Sequence, residues 1–240
     1  MLGYGLDRND NDLFAGALYT VGVDAFFKGR QCKGKMGMFT IREMQKRYPN
    51  HSPTKILDIG CASGNATFDW CDNYPEAEIH GIDIGAGLLR FGHLEAETTG
   101  RKVHFHQMNA ETMNKFENNS FDTIVSHIIF HETSIDAIKN ILREAYRILK
   151  PGGVMIHMDV TNQDWHYKLP QDRFQQHWQT YFQGEPFWST FATIKINELV
   201  PHEEVPFDFH EQVPKGNNQP GHFLFFGLQK REKTSEEEEC

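Results

Sequence analysis

The chain is predicted to fold as an α/β protein, a three-layer doubly wound sheet that is mostly parallel, and three observations predict it. Short apolar, β-branched runs alternate with helix-like segments from Lys55 to Val160. The first run passes through a glycine turn straight into a helix. Glycine and polar residues, Gly60, Asp83, Asn109, Ser126, His131 and Asp159, fall where the successive runs end. Alternation of this kind implies parallel strands joined by right-handed crossovers with helices on both faces. Ligands in such sheets bind at the carboxyl ends of the strands.

Residues 1–50 carry scattered aromatics and read as an N-terminal helical cover, including a helix from Phe39 to Tyr48 closed by Pro49. The run Lys55-Ile56-Leu57-Asp58-Ile59 is the first strand, and Gly60-Cys61-Ala62-Ser63-Gly64 is the turn. Asn65 is the N-cap candidate for a helix over 66–74, which Pro75 stops. Glycines there let a ligand approach the backbone, and the helix start presents amide N–H groups to it. The turn is not a dinucleotide fingerprint, because Ala62 and Asn65 stand where G-x-G-x-x-G needs glycine.

The second strand, Glu78 to Asp83, ends in an acid about 20 residues beyond the turn, where a carboxylate can accept both hydroxyls of a ribose. A helix over 85–97 should bury Leu88, Leu89, Phe91 and Leu94, with Gly87 and Gly92 costing it about 1 kcal/mol each if interior. Val103–Gln107 and Phe121–Ser126 supply the third and fourth strands. Between Thr133 and Leu149 the apolar residues Ile135, Ile138, Ile141, Leu142, Ala145, Ile148 and Leu149 recur at helical spacing behind a Thr133 or Ser134 cap. Lys150-Pro151-Gly152-Gly153 ends that helix, and Val154 to Asp159 is the fifth strand.

These residues resemble the class I, Rossmann-like S-adenosylmethionine-dependent methyltransferases of small-molecule type. The first motif of that family has the form Asp-x-Gly-x-x-x-Gly, here Asp58, Gly60 and Gly64, usually with a further glycine where Ala62 stands. The run LREAYRILKPGGVMIHMDV resembles the helix, turn and strand that close the family's core, and the likeness covers about residues 55–160 in order. The resemblance implies S-adenosyl-L-methionine as cofactor, with S-adenosyl-L-homocysteine as product. It implies a cofactor site of Asp58, Gly60, Cys61, Ala62, Gly64, Asp83, Ile84, Asn109, Ala110 and Ser126. Asn109 takes the position usually held by Asp beside the adenine, where an amide still offers an acceptor and a donor. The resemblance also implies an antiparallel edge strand, for which 205–210 and 222–229 are the candidates, and an N-terminal helical lid.

On that frame residues 51–230 form the methyltransferase domain, with an aromatic insertion at about 160–200 and an acidic, disordered tail at 231–240. The insertion crowds Trp165, Tyr167, Phe174, Trp178, Tyr181, Phe182, Phe187, Trp188 and Phe191 together, and either packs as core or walls an acceptor pocket. Trp165, Phe187 and Trp188 are its substrate-binding candidates. His131 and Glu132, beyond the fourth strand, are the catalytic candidates: an imidazole or carboxylate there can take a proton from the acceptor, or Glu132 merely positions a ligand. Thirteen histidines raise the question of a metal, yet neither His127 with His131 nor His104 with His106 has a further ligand nearby in sequence, so none is expected.

The expected reaction is methyl transfer to a small, largely apolar or aromatic metabolite. A non-catalytic or partner-activated cofactor-binding protein and a nicotinamide-dependent oxidoreductase are the alternatives. A net charge of −9 argues against nucleic acid and anionic membranes as partners, since both need a basic surface. Cys32, Cys61, Cys71 and Cys240 make no C-x-x-C pair, no basic-then-apolar leader opens the chain, and no apolar run approaches a membrane span. A cytoplasmic monomer or homodimer is the expectation.

Overall fold

The computed structural model describes residues 13–26, 36–160, 174, 178–182, 184–212 and 223–231. Trp165, Tyr167, the loop after residue 212 and the tail beyond 231 lie outside the described residues. The elements in chain order are α1 (Phe14–Phe26), α2 (Met36–Arg47), β1 (Lys55–Ile59), α3 (Thr67–Asn73), β2 (Glu78–Asp83), α4 (Ala86–Thr99), β3 (His104–Gln107) and β4 (Phe121–His127). A 3-10 turn (Phe130–Glu132), α5 (Ile135–Ile148) and β5 (Leu149–Val160) follow, then two one-turn helices, β6 (Phe207–Gln212) and β7 (Phe223–Lys230). The strands make one seven-stranded mixed sheet in the order β3-β2-β1-β4-β5-β7-β6. β1 pairs with β2, and β2 with β3, in parallel. β7 runs antiparallel between β5 and β6, so the expected antiparallel strand lies one place in from the edge.

The chain divides into two compact units, Met1–Ala110 with Val125–His127, and Glu111–Ile124 with Ile128–Cys240. In the first, Ile56, Leu57, Ile59, Ile79 and Ile82 fill the interior of β1 and β2. Burying each such side chain contributes about 1.5–3 kcal/mol. Helices close in where side chains are missing: a Cβ at Gly16 of α1 would stand 2.2 Å from the Cβ of Phe91 on α4, and one at Gly37 of α2 would stand 2.3 Å from the Ala66 carbonyl oxygen. Asp69 of α3 accepts the backbone N–H of Met38, which satisfies an orphan donor in the first turn of α2.

Asn65 does not cap α3. The N-cap is Ala66 without a side-chain hydrogen bond, and the hydroxyl of Thr67 turns to Asp58 instead. Gly92 serves α4 rather than weakening it, because a Cβ there would meet the Ser63 carbonyl oxygen at 2.8 Å; the helix lies against the glycine turn only because that Cβ is absent. Leu94, expected inside, is exposed.

In the second unit α5 buries Ile138, Ile141, Leu142, Ala145 and Ile148, and Ser134 caps it by accepting the Ala137 N–H. The opposite face of α5 holds the segment that leads into β4. Glu144 accepts the Met113 N–H at 2.7 Å, and Arg147 donates to the carbonyls of Met113 and Phe116. β5 starts earlier than expected, at Leu149, and takes in the Lys150–Gly153 stretch, with Gly152 left-handed at φ 76°. Among the described residues no helix is long and apolar enough to cross a membrane.

Candidate active site

The first unit holds the predicted cofactor residues. β1 delivers Asp58, almost wholly buried, and the chain then reverses through three left-handed residues, Gly60 at φ 70°, Ala62 at φ 48° and Gly64 at φ 83°. Glycine adopts this region without cost, whereas Ala62 bears about 1 kcal/mol of strain there. The turn is nevertheless fixed. The N–H groups of Gly60 and Cys61 both donate to the Ile82 carbonyl, at 2.9 and 3.0 Å, and the Gly64 N–H donates to the Cys61 carbonyl.

Asp83 clamps it from the end of β2. Its Oδ2 accepts the Ala62 N–H at 2.9 Å and its Oδ1 accepts the Gly85 N–H at 2.7 Å. A carboxylate has about four acceptor positions, so both oxygens retain capacity for ribose hydroxyls. Burial raises its pKa above the ordinary carboxylate value, against the lowering effect of the two amides. Beside it Ile84 is 64% exposed, an apolar surface at the strand end on which a flat base could lie. Asn109 is exposed and Ala110 partly exposed just beyond β3, while Ser126 is buried near the end of β4.

Asp58 Oδ2 accepts from the Thr67 hydroxyl at 2.6 Å, but its buried Oδ1 has no hydrogen-bond partner among the described residues and faces His127 Nδ1 at 3.4 Å. Thr40 donates to the Gly37 carbonyl and lies 2.8 Å from His127 Nε2, which therefore donates to Thr40 and leaves Nδ1 as an acceptor in the neutral ring. Cys61 is a packing residue, its sulfur filling the space over Gly81. Burial, followed by the charges of Asp58 and Asp83, pushes its thiol up, so it is not a nucleophile.

The second unit holds the catalytic candidates. Directly after β4 the backbone turns at Ile128, a β-branched residue at φ 54°, a conformation that costs about 1–3 kcal/mol and persists only where neighbours hold it. The hydrogen bond from its N–H to the Met158 carbonyl, 2.7 Å, does so. The 3-10 turn that follows places His131, 3% exposed, with Nδ1 2.6 Å from Asp159 Oδ1. Asp159 is fully buried and accepts also from the N–H groups of Phe130 and Val160 and from His157 Nε2. Because this carboxylate only accepts, His131 Nδ1 carries the proton and Nε2 is the open nitrogen.

Burial works to raise the Asp159 carboxyl, and the charge and hydrogen bond of His131 overcome it, holding it well below the usual range. Burial likewise lowers His131, and the charge and hydrogen bond of Asp159, with Glu132 and Glu185 behind them, bring it above the ordinary histidine value.

His131 Nε2 faces Glu132 Oε1 at 3.8 Å and Glu185 Oε2 at 3.9 Å. The Trp188 ring stands edge-on to the His131 ring, 4.9 Å between centroids. Trp188 is placed by its own N–H, which donates to the Glu185 carbonyl, while Phe187 beside it is half-buried. The structure thus brings His131, Glu132 and Trp188 together. Phe174, Trp178, Tyr181 and Phe182 are exposed and Phe191 is buried, so the aromatic segment is neither uniformly core nor uniformly wall. The sequence reading did not pair Asp159 with His131, and it singled out Glu185 only as part of the run Glu185-Pro186-Phe187-Trp188.

Residues 56–153 match the family described as Methyltransferase domain. The chain is 29% identical over 150 residues to a ubiquinone/menaquinone biosynthesis C-methyltransferase of Dinoroseobacter shibae, covering 62% of this chain and 52% of that protein. It is 28% identical over 141 residues to a demethylmenaquinone methyltransferase of Lactococcus lactis, covering 58% and 52%. The chain spans about half the length of these relatives. Its fold is shared with an S-adenosyl-L-methionine-dependent methyltransferase from Methanococcus maripaludis at a TM-score of 0.63, 13% identity, covering 95% of this chain and 98% of that one. A SAM-dependent methyltransferase from Methanosarcina mazei gives a TM-score of 0.57 at 20% identity, covering 79% and 98%.

Proposed function

We propose that the protein is an S-adenosylmethionine-dependent methyltransferase acting on a small, largely apolar or aromatic acceptor. The observation that carries the reading is the clamp of Asp83 on the left-handed turn Gly60–Gly64, because it joins a ribose-binding acid to a backbone cradle inside the methyltransferase domain.

The residues present fit the cofactor. Asp83 has acceptor capacity for the ribose hydroxyls, Ile84 offers apolar surface to the adenine, and Asn109 with the Ala110 N–H can pair with its edge. The buried, unpaired Oδ1 of Asp58 is an acceptor for the ammonium of the methionine part, with Gly60, Ala62 and Gly64 keeping side chains out of its way. Ser126 completes the set near the end of β4. When bound, the cofactor supplies an electrophilic methyl group on a sulfonium.

The chain itself contributes positioning and proton transfer. Asp159 holds the His131 ring by Nδ1, which leaves Nε2 to take a proton from the acceptor, and the charge of Asp159 stabilises the imidazolium so formed. Trp188 and Phe187 wall this end with apolar surface and exclude water. The acidic net charge favours no nucleic-acid or membrane partner, and the reading is of a cytoplasmic enzyme, monomer or homodimer.

The test is calorimetry with S-adenosylmethionine, S-adenosylhomocysteine and NAD, followed by transfer of a labelled methyl group to a panel of hydroxylated and amino aromatics. Binding of the first two ligands with transfer is expected. Binding of NAD alone would make the protein an oxidoreductase, and cofactor binding without transfer would leave it a binding protein.

A further inference from the structure

We propose that His157 is a positioning residue that acts through Asp159: it binds the second oxygen of the carboxylate that His131 holds by the first, and so limits how firmly His131 keeps a second proton. The inference rests on the methyltransferase reading, in which His131 takes the proton of the acceptor, and adds a residue to it. β5 carries His157 and Asp159 two residues apart, and therefore on the same face of the strand. His157 Nε2 lies 3.0 Å from Asp159 Oδ2, while His131 Nδ1 lies 2.6 Å from Oδ1. An ionised carboxylate only accepts, so both imidazoles donate to it and the two rings are joined through one buried charge. The backbone N–H groups of Phe130 and Val160 donate to the same carboxylate, one to each oxygen.

His157 is itself fixed by aromatic contacts. Its ring stacks on Phe130 with 4.0 Å between centroids and meets Phe226, its pairing partner in β7, at 4.8 Å. Phenylalanine would serve those contacts equally well. What histidine adds is the N–H aimed at Asp159.

The charges around His131 give that N–H its effect. Burial lowers the His131 pKa, and Asp159 from β5, then Glu132 from the 3-10 turn and Glu185 from the segment before Trp188, bring it above the ordinary value. A base held too firmly in its charged form takes no proton from an acceptor. His157 works in the other direction. Its N–H brings positive charge to the carboxylate and stabilises it without help from His131, which reduces what Asp159 contributes to the imidazolium. The direction is the same whether the His157 ring carries one proton or two, because Nε2 donates in both. Burial works to raise the Asp159 carboxyl, and His131 and then His157 hold it well below the usual range. Asp159 therefore stays ionised, and the proton taken from the acceptor stays on His131 Nε2.

The test compares His157→Phe, which keeps the aromatic contacts and loses the N–H, with His157→Gln, which loses the ring and keeps an amide donor of similar reach. His131 is titrated by NMR in each protein, and the pH dependence of labelled methyl transfer is measured beside it. A hydrogen bond to a charged group is worth more than one pKa unit, and part of that reaches His131. His157→Phe should therefore raise the His131 midpoint, and the rising limb of the rate with it, by about half a pH unit or more. That shift is opposite in sign to the one expected of Asp159→Asn. His157→Gln should have a midpoint between those of the wild type and His157→Phe, while losing more stability than His157→Phe. An unmoved or lowered midpoint in His157→Phe, or a larger shift in His157→Gln, makes His157 a packing residue and overturns the proposal. So does a nitrogen NMR shift in the wild-type protein that shows His157 Nε2 without a proton where His131 titrates, a measurement that needs no variant to fold. A moved midpoint with an unmoved rate limb defeats this inference alone, whereas failure to bind S-adenosylhomocysteine defeats the methyltransferase reading beneath it.

Discussion

Asp83 Oδ2 accepts the backbone N–H of Ala62 at 2.9 Å, so the acid that ends β2 also fixes the turn that follows β1. The residue proposed for ribose recognition thus shapes the turn as well. Asp83→Ala removes both that bond and the one to Gly85, and with them the acceptor of two hydroxyls. Hydrogen bonds to a charged group are worth about 1.5–3 kcal/mol each, so S-adenosylhomocysteine affinity should fall by at least tenfold per bond lost. The denaturation midpoint should fall with it, and Asp83→Asn, which keeps one acceptor oxygen, should fall between. Calorimetry and urea unfolding of the three proteins check this; unchanged affinity in Asp83→Ala would remove the ribose assignment.

Ala62 is the one non-glycine left-handed residue of that turn, at φ 48°. Ala62→Gly should stabilise the protein by up to about 0.6 kcal/mol, the relief of about 1 kcal/mol of left-handed strain less the roughly 0.4–1 kcal/mol of extra entropy that glycine holds when unfolded. The denaturation midpoint should rise while S-adenosylhomocysteine affinity stays the same. A lower midpoint would mean that the Ala62 methyl packs usefully and that the departure from glycine is not strained.

β1, β4 and β5 were legible because burial on both faces writes itself as mainly apolar runs, and α5 because its apolar residues recur at helical spacing. Asp58, Gly60, Gly64 and Asp83 were legible because local turn chemistry and strand-end position place them. Asn65 misled because Asn is a common cap, while the contact that decided the start of α3 is between Thr67 and Asp58, nine residues apart. Gly92 misled because propensity counts the cost of glycine and is blind to the Ser63 carbonyl it lets in. The approach of Glu185 to His131 joins residues 54 apart and leaves no periodic trace in the sequence.

The His131–Asp159 pair sets a pH window. His131 has a raised folded value, so its share of stability is complete below about 6.5 and is lost as pH rises through the raised value. Asp159 has a depressed value, so its share is complete above about 3.9 and is lost as pH falls through the depressed value. Stability from the pair should therefore be greatest between about pH 4 and 6.5. On the proposal that His131 takes the acceptor's proton, transfer needs the neutral ring, so its rate should rise with pH through the raised His131 value. Asp159→Asn should shift that limb to lower pH and cost about 3–5 kcal/mol at pH 6, because it leaves a buried partner uncompensated. NMR titration of His131 and urea unfolding at pH 6 and pH 9 read the two effects separately; an unmoved rate profile in Asp159→Asn would take His131 out of proton transfer.

Trp188 separates pocket from core. Its ring meets the His131 ring edge-on and is only partly buried, while Phe191, one turn later, is 2% exposed. A residue that merely fills the interior is expected to resemble Phe191. On the pocket reading, Trp188→Ala removes a wall of the acceptor site, and an aromatic contact of this type is worth about 0.5–1.5 kcal/mol beyond its buried area. The acceptor KM should rise, or turnover fall, by about three- to tenfold or more, with S-adenosylmethionine affinity nearly intact. Phe191→Ala should do the reverse, costing about 3–5 kcal/mol of stability with little change in the kinetics of the protein that remains folded. If Trp188→Ala loses stability on that scale and its folded fraction turns over acceptor normally, the segment is core, and the acceptor wall must be sought on other residues.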